Sequence, residues 1–280
     1  MTDATVKLGL LAGGGHLPAN IIAACEDAGR PYHVITFKGQ PKPEGVPLTD
    51  TYHTELPLGK VAATLKTLRK QGVVEVVLAG NLNKPSFFDL MPDLTGAKVL
   101  ARMIRHHDDD ILATVCQLLE EEGLKVVGAH TLLPKLLAGK GVIGNFKPTE
   151  AELADIALGL RVARALGQED VGQAVIVKNK VVIGVEAAEG TDALIQRCAA
   201  LRGHSEGGVL VKVCKPGQDM RVDLPSIGPK TIENLAHHNY AGVAIEASKT
   251  LILDAQAAEA TADRTGVFMY GFDGDDTGRN

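Results

Sequence analysis

The start of the chain leaves few folds open. An apolar run at residues 7–12 meets the tight turn Gly13-Gly14-Gly15-His16-Leu17-Pro18, and a helix pattern over residues 19–28 stops at Gly29. A second apolar run, residues 32–37, follows at once. Strand, helix and strand with so little chain between them form a crossover unit, and crossovers of this kind pair their strands in parallel. The alternation continues. Residues 58–71 read as an amphipathic helix, residues 73–79 as a strand ending in Gly80-Asn81, residues 96–105 and 109–122 as helices, and residues 124–128 as a further strand. An α/β fold is therefore expected, with an N-terminal Rossmann-like, doubly wound domain over residues 1–133.

The pattern changes further on. Residues 134–148 (PKLLAGKGVIGNFKP) are rich in Gly, Pro and Lys and read as a linker. Thr149-Glu150-Ala151-Glu152 matches a capping box and opens a helix that runs to about residue 166. Residues 173–177 and 181–187 then form a β-hairpin around Lys178-Asn179-Lys180. After a helix at 191–201, a strand at 209–214 and a helix at 231–238, residues 242–246 and 250–253 read as a second hairpin around Ser248-Lys249, and residues 267–272 as the last strand. A C-terminal α/β catalytic domain is expected over residues 149–280, with the substrate cleft between the two domains.

Composition narrows the function classes. Lys+Arg number 29 against Asp+Glu 34, and aromatic residues make up 4% with no Trp, so nucleic acid is not an expected partner. The opening residues lack the charged and apolar regions of a signal peptide, and no apolar stretch reaches the roughly 18 residues of a spanning helix. The four cysteines are scattered without a CxxC pair, which fits packing thiols in a reducing compartment. A cytoplasmic location is the expectation.

Several stretches carry chemistry. Gly13 and Gly14, with Gly80 and Asn81 at the end of another strand, stand where open parallel sheets take ligands, and glycine lets a phosphate approach backbone N–H groups. A purely structural tight turn is the alternative, and the GxGxxG spacing of a redox-cofactor site is absent. His106-His107-Asp108-Asp109-Asp110 has metal-like residue types, but consecutive residues point in different directions, so helix capping is the better reading. His237-His238 reads as an exposed helix end. In Val185-Glu186-Ala187-Ala188-Glu189-Gly190-Thr191-Asp192 a strand ends, a glycine turns the chain and Thr-Asp opens a helix. Thr191 is either an N-cap or, with Gly190, a phosphate contact.

The stretch KVCKPGQDMRVDLPSIGPKTI adds opposed charge stiffened by proline. Lys212, Lys215 and Arg221 suit the developing charge of a phosphate, and Asp223, held before Leu224-Pro225, suits a metal or an attacking water. Gly228 makes a further tight turn before a helix. Glu186, Asp192 and Asp223 are the candidate metal ligands, hard oxygen donors of the type that holds Mg²⁺.

With LLAGGGHLP, EGTDA and GGVLVKVCKPGQDMRVDLPSIGPKTI in view, the whole chain resembles the LpxI-type UDP-2,3-diacylglucosamine pyrophosphatases of the lipid A pathway. The resemblance implies hydrolysis of UDP-2,3-diacylglucosamine to UMP and 2,3-diacylglucosamine 1-phosphate with Mg²⁺, water attacking the sugar-side phosphorus. It further implies a homodimer in transient contact with the inner membrane face. Asp223 carries over as the essential acid, and the turns at Gly13-Gly14 and Gly190-Thr191-Asp192 as parts of the substrate cleft. The apolar stretch at residues 132–137 is suited to acyl chains or to a core. A nucleotide-sugar transferase, and a sensor that binds a nucleotide or lipid precursor without turnover, are the competing readings.

Overall fold

The computed structural model describes residues 5–83, 92–93, 95–97, 111–202, 206–215, 219–221 and 224–273. The chain divides into two compact units, Met1–Pro134 with Asp219–Val222, and Lys135–Gln218 with Asp223–Asn280.

In the first unit, β1 (Leu8–Ala12), α1 (Leu17–Asp27) and β2 (Tyr32–Phe37) form the expected crossover. They are followed by β3 (His53–Leu56), α2 (Val61–Lys70), β4 (Glu75–Ala79), α3 (Ile111–Glu121), β5 (Lys125–Val126) and α4 (Ala129–Leu132). The five strands are parallel in the order β3-β2-β1-β4-β5. The strand order reverses between β1 and β4, the position at which doubly wound sheets open a crevice. β1 is buried along its whole length, which explains its unbroken apolar run. Leu65 and Leu68 of α2 pack with Cys116 and Leu119 of α3 against Ile35 and Val76 of the sheet. Most of the expected helix at 96–105, the first residues of the one at 109–122 and the His106–Asp110 stretch lie outside the described residues.

The second unit follows a 3₁₀ turn, Pro134–Leu136. Its elements are β6 (Gly141–Ile143), α5 (Glu150–Gln168), β7 (Ala174–Lys178), β8 (Val181–Val185), α6 (Thr191–Arg202), β9 (Val209–Lys212), β10 (Ser226–Ile227), α7 (Pro229–His237), β11 (Gly242–Glu246), β12 (Leu251–Ile252), α8 (Ala255–Thr265) and β13 (Phe268–Phe272). Six strands form a mixed sheet in the order β6-β13-β11-β9-β7-β8, with β9, β11 and β13 parallel to one another. Both faces are covered, so the strands alternate between two cores. Ile176, Leu210 and Ile245 pack with Leu194, Ile232 and Leu235, while Val175, Val177 and Val211 pack under Ile156 and Leu160 of α5. Gly159 lets α5 sit this close, since a Cβ there would lie 2.6 Å from Val211 Cγ2.

Local chemistry sets the element ends. The Thr149 side chain accepts from the Glu152 amide while Glu152 Oε2 accepts from the Thr149 amide at 2.7 Å, a complete capping box. The β7–β8 hairpin turns through Asn179 and Lys180, at φ of 50° and 61°. Buried Asp155 of α5 accepts from both of their amides, at 2.9 and 2.5 Å.

The expected second hairpin is not formed. β11 lies between β9 and β13, whereas β12 pairs in parallel with β10 in a separate two-stranded sheet. β11 is buried throughout and has a parallel neighbour on each side, leaving no edge for β12. Ser248, at φ 61°, turns the chain out of the sheet. Within the stretch read as a linker, Gly141–Ile143 is an edge strand antiparallel to β13.

Candidate functional site

In the first unit the glycine turn after β1 meets the turn after β4 at the switch point. Gly14 and Asn81 form a two-way bridge: the Gly14 amide donates to Asn81 O at 2.9 Å and the Asn81 amide to Gly14 O at 3.1 Å. The Gly13 amide donates to Ala79 O at 2.9 Å. The glycines are required by this contact. A Cβ on Gly13 would lie 2.4 Å from Asn81 O, and one on Gly14 would lie 2.6 Å from Pro41 Cβ. Gly80, at φ 92°, would bring a Cβ within 2.6 Å of Gly14 O. The Gly13 and Gly14 amides therefore serve this joint.

Arg221 and Asp219 also belong to the first unit. The Arg221 guanidinium donates to both carboxylate oxygens of Asp219, at 2.6–3.0 Å, and pairs with Glu120. Its hydrogen bonds hold the Asp219 carboxyl below the ordinary range, and the guanidinium is pushed further up in turn.

In the second unit a polar cluster forms at the carboxyl ends of the parallel strands. Glu186 follows the end of β8 and Lys212 ends β9; both are buried. Thr191, at the start of α6, stands between them. Its hydroxyl donates to Glu186 Oε1 at 2.6 Å and accepts from Lys212 Nζ at 3.2 Å. Lys212 Nζ also donates to Ser226 O at 3.1 Å, and Glu186 Oε2 accepts from the Gln173 amide at 3.1 Å. Burial of these charges is tolerable because each is hydrogen-bonded.

The other expected residues have settings of their own. Asp192, the next residue on α6, is exposed and accepts from Asn234 Nδ2 of α7 at 3.2 Å. Lys215 Nζ pairs with Asp170 at 2.6 Å. Gly190, at φ 83°, turns the chain into α6, and no atom lies within 4 Å of where its Cβ would stand. Gly228 is the extended N-cap of α7, at φ −161°, so its conformation does not demand glycine. Asp223 lies outside the described residues. Among the described residues no group of three or more His, Cys, Asp or Glu side chains is placed to hold a metal. Glu186 is buried and bonded to Thr191, whereas Asp192 is exposed and bonded to Asn234.

Sequence reasoning passed over one more buried carboxylate. Glu246 ends β11, accepts from the Cys214 amide at 3.1 Å and holds Lys249 Nζ at 2.8 Å, which raises the Lys249 pKa. Its signal was available: in GVAIE a glutamate closes an apolar run, as it does in VIGVE at Glu186.

A parallel sheet with a glycine joint at its switch point, and a mixed sheet with a Lys–Thr–Glu cluster at its strand ends, define a two-domain α/β protein. Residues 7–136 match the model of the LpxI N-terminal domain and residues 139–270 that of the LpxI C-terminal domain. The chain belongs to the LpxI family. It is 40% identical, over 277 residues, to the UDP-2,3-diacylglucosamine pyrophosphatase LpxI of Caulobacter vibrioides, covering 95% of this chain and 98% of that protein. Among solved structures, CobK precorrin-6A reductase aligns over 96% of this chain and 88% of its own at 15% identity, but its TM-score of 0.30 carries no argument.

Proposed function

We infer that the chain hydrolyses UDP-2,3-diacylglucosamine to UMP and 2,3-diacylglucosamine 1-phosphate in lipid A biosynthesis. The observation that carries this reading is the 40% identity, along nearly the full length of both chains, to the Caulobacter pyrophosphatase. One water adds across the P–O–P bridge: its oxygen bonds to one phosphorus and the bridging oxygen leaves with the other. The buried cation Lys212 suits the charge that develops on the phosphate oxygens. Asp223 is the proposed essential acid, on the strength of the DLP motif it opens.

The finer proposals are a divalent cation, Mg²⁺ first, bound through oxygen ligands that include Asp223 and Asp192; a homodimer; and contact with an inner membrane face. Among the described residues no helix is long and apolar enough to cross a membrane, so such contact would be peripheral in the proposed arrangement. Incubating the purified chain with the diacylated UDP-sugar should release UMP with water as the sole acceptor. Full turnover after exhaustive dialysis against EDTA would remove the metal from the proposal, and binding without UMP release would favour the sensor. In ¹⁸O-water the label should enter the sugar 1-phosphate; label in UMP would move the attack to the nucleoside side.

A further inference from the structure

The hydrogen-bond directions in the second unit's cluster are fixed by proton count. A threonine hydroxyl carries one proton, and an ammonium group only donates. Lys212 Nζ at 3.2 Å therefore requires Thr191 Oγ1 to act as acceptor, and the hydroxyl proton points the other way, to Glu186 Oε1 at 2.6 Å. Glu186 Oε2 accepts from a second donor, the Gln173 amide, at 3.1 Å. Glu186 thus faces two donors with two acceptor oxygens, one for each, and the carboxylate is buried. No neutral side chain of the same shape fits that demand. A glutamine has one acceptor oxygen, so its NH₂ would meet either the Gln173 amide or the Thr191 hydroxyl. In the second case the hydroxyl proton loses its acceptor, and nothing then keeps that proton turned away from the ammonium.

We propose that Glu186 is a positioning residue: it orients the Thr191 hydroxyl so that Thr191 accepts from Lys212 and holds the ammonium in place. This replaces the metal-ligand role that its residue type suggests. The proposal rests on the hydrolase reading for its kinetic consequence, but its geometric content does not. Thr191 presents an acceptor to Lys212, so its hydroxyl is not a donor to a phosphate. Ser226 O gives Lys212 a second fixed point at 3.1 Å.

The test uses the full chain with Glu186→Gln, Thr191→Val, Thr191→Ser and the double variant Glu186→Gln/Thr191→Val. Two readouts are needed: steady-state UMP release, and the rate at which Lys212 is acylated by an amine-reactive ester, followed by mass spectrometry. Loss of a fixed position for the cation should lower kcat about 10- to 100-fold with KM within about threefold. Thr191→Ser should stay near wild type in both readouts. Glu186→Gln and Thr191→Val should each raise the Lys212 acylation rate, and the double variant should add nothing to either single loss, because the two residues act in series. The Mg²⁺ concentration needed for half-maximal rate should not move.

Additive losses in the double variant would overturn the proposal, as would Glu186→Gln activity restored by raised Mg²⁺. Lower thermal stability with unchanged kcat and unchanged acylation would reduce Glu186 to a structural group. A folded wild-type chain that releases no UMP would overturn the hydrolase reading, and the acylation series would then decide the relay by itself.

Discussion

Acid should destabilise the first unit through His33. This side chain is 1% exposed on β2, and its Nε2 stands 3.0 Å from Thr54 Oγ1 of β3. Its Nδ1 is buried without a hydrogen-bond partner. The imidazole therefore fits in the neutral form, Nε2–H donating to Thr54, and a proton on Nδ1 would add a buried donor facing no acceptor. Burial above all, then Lys7 and His53 nearby, lowers its pKa from 6.5 to about 4. In the unfolded chain the imidazole titrates at the ordinary value. Above pH 6.5 both states are neutral and stability is flat. As pH falls from 6.5 toward 4 only the unfolded chain takes the proton, so stability is lost through that window and levels off below it. The gap between the two pKa values corresponds to about 3 kcal/mol in full, and to about 2 kcal/mol between pH 7 and pH 5. Urea unfolding at pH 7 and pH 5, followed by far-UV circular dichroism, measures that loss. Glu, Asp and the remaining histidines also titrate, so the comparison is with His33→Gln, whose amide still reaches Thr54. The variant should be less sensitive to acid than wild type by about 2 kcal/mol over the same interval. Equal losses in the two proteins would refute the assignment.

Three other outcomes are expected. Gly80→Ala should destabilise the first unit by about 1–3 kcal/mol, from the φ of 92° and the 2.6 Å approach to Gly14 O, seen as a lower thermal midpoint; an unchanged midpoint would mean the two turns separate at no cost. Arg30→Ala should cost about 1–3 kcal/mol, because it removes one of the two cations, Arg30 and Lys125, that each hold the buried Glu75 carboxylate at 2.7 Å, and denaturant titration checks it. Asp223→Ala should lower single-turnover hydrolysis by about 10²–10⁴-fold while the intact UDP-sugar still binds, so wild-type turnover would remove Asp223 from the mechanism.

Elements with a strong local pattern were legible. β1 and β2, the Thr149–Glu152 capping box and the β7–β8 turn all follow from periodicity or side-chain chemistry within a few residues. The edge strands β3 and β6 and the short β10 were not, because HTEL, GVI and SI become strands only through the neighbour they meet. β12 was assigned the wrong partner for the same reason: proximity in sequence favoured β11, while burial of β11 on both sides gave its edges to β9 and β13. At the candidate site the residue types were legible and their pairings were not. Nothing local to Lys215 announces Asp170, and nothing near Arg221 announces Glu120. Gly13 and Gly14 were marked as special, but the turn that makes them so, Gly80-Asn81, lies on another strand.

Those pairings separate the three cations of the KVCKPGQDMR stretch by how readily each could change partner. Lys215 is bound to an Asp170 whose side chain is 67% exposed, and pairs of that kind are worth about 0–1 kcal/mol. An incoming phosphate would displace the carboxylate at little cost. Arg221 holds Asp219 through three hydrogen bonds and Glu120 through another, so freeing it requires breaking a forked pair. Lys212 is buried and donates to the Thr191 hydroxyl and the Ser226 carbonyl. Low dielectric around a buried ammonium strengthens its field. Lys212 is thus a buried cation held in place by groups of its own unit, which is what preorganised stabilisation of a phosphoryl group asks of a side chain.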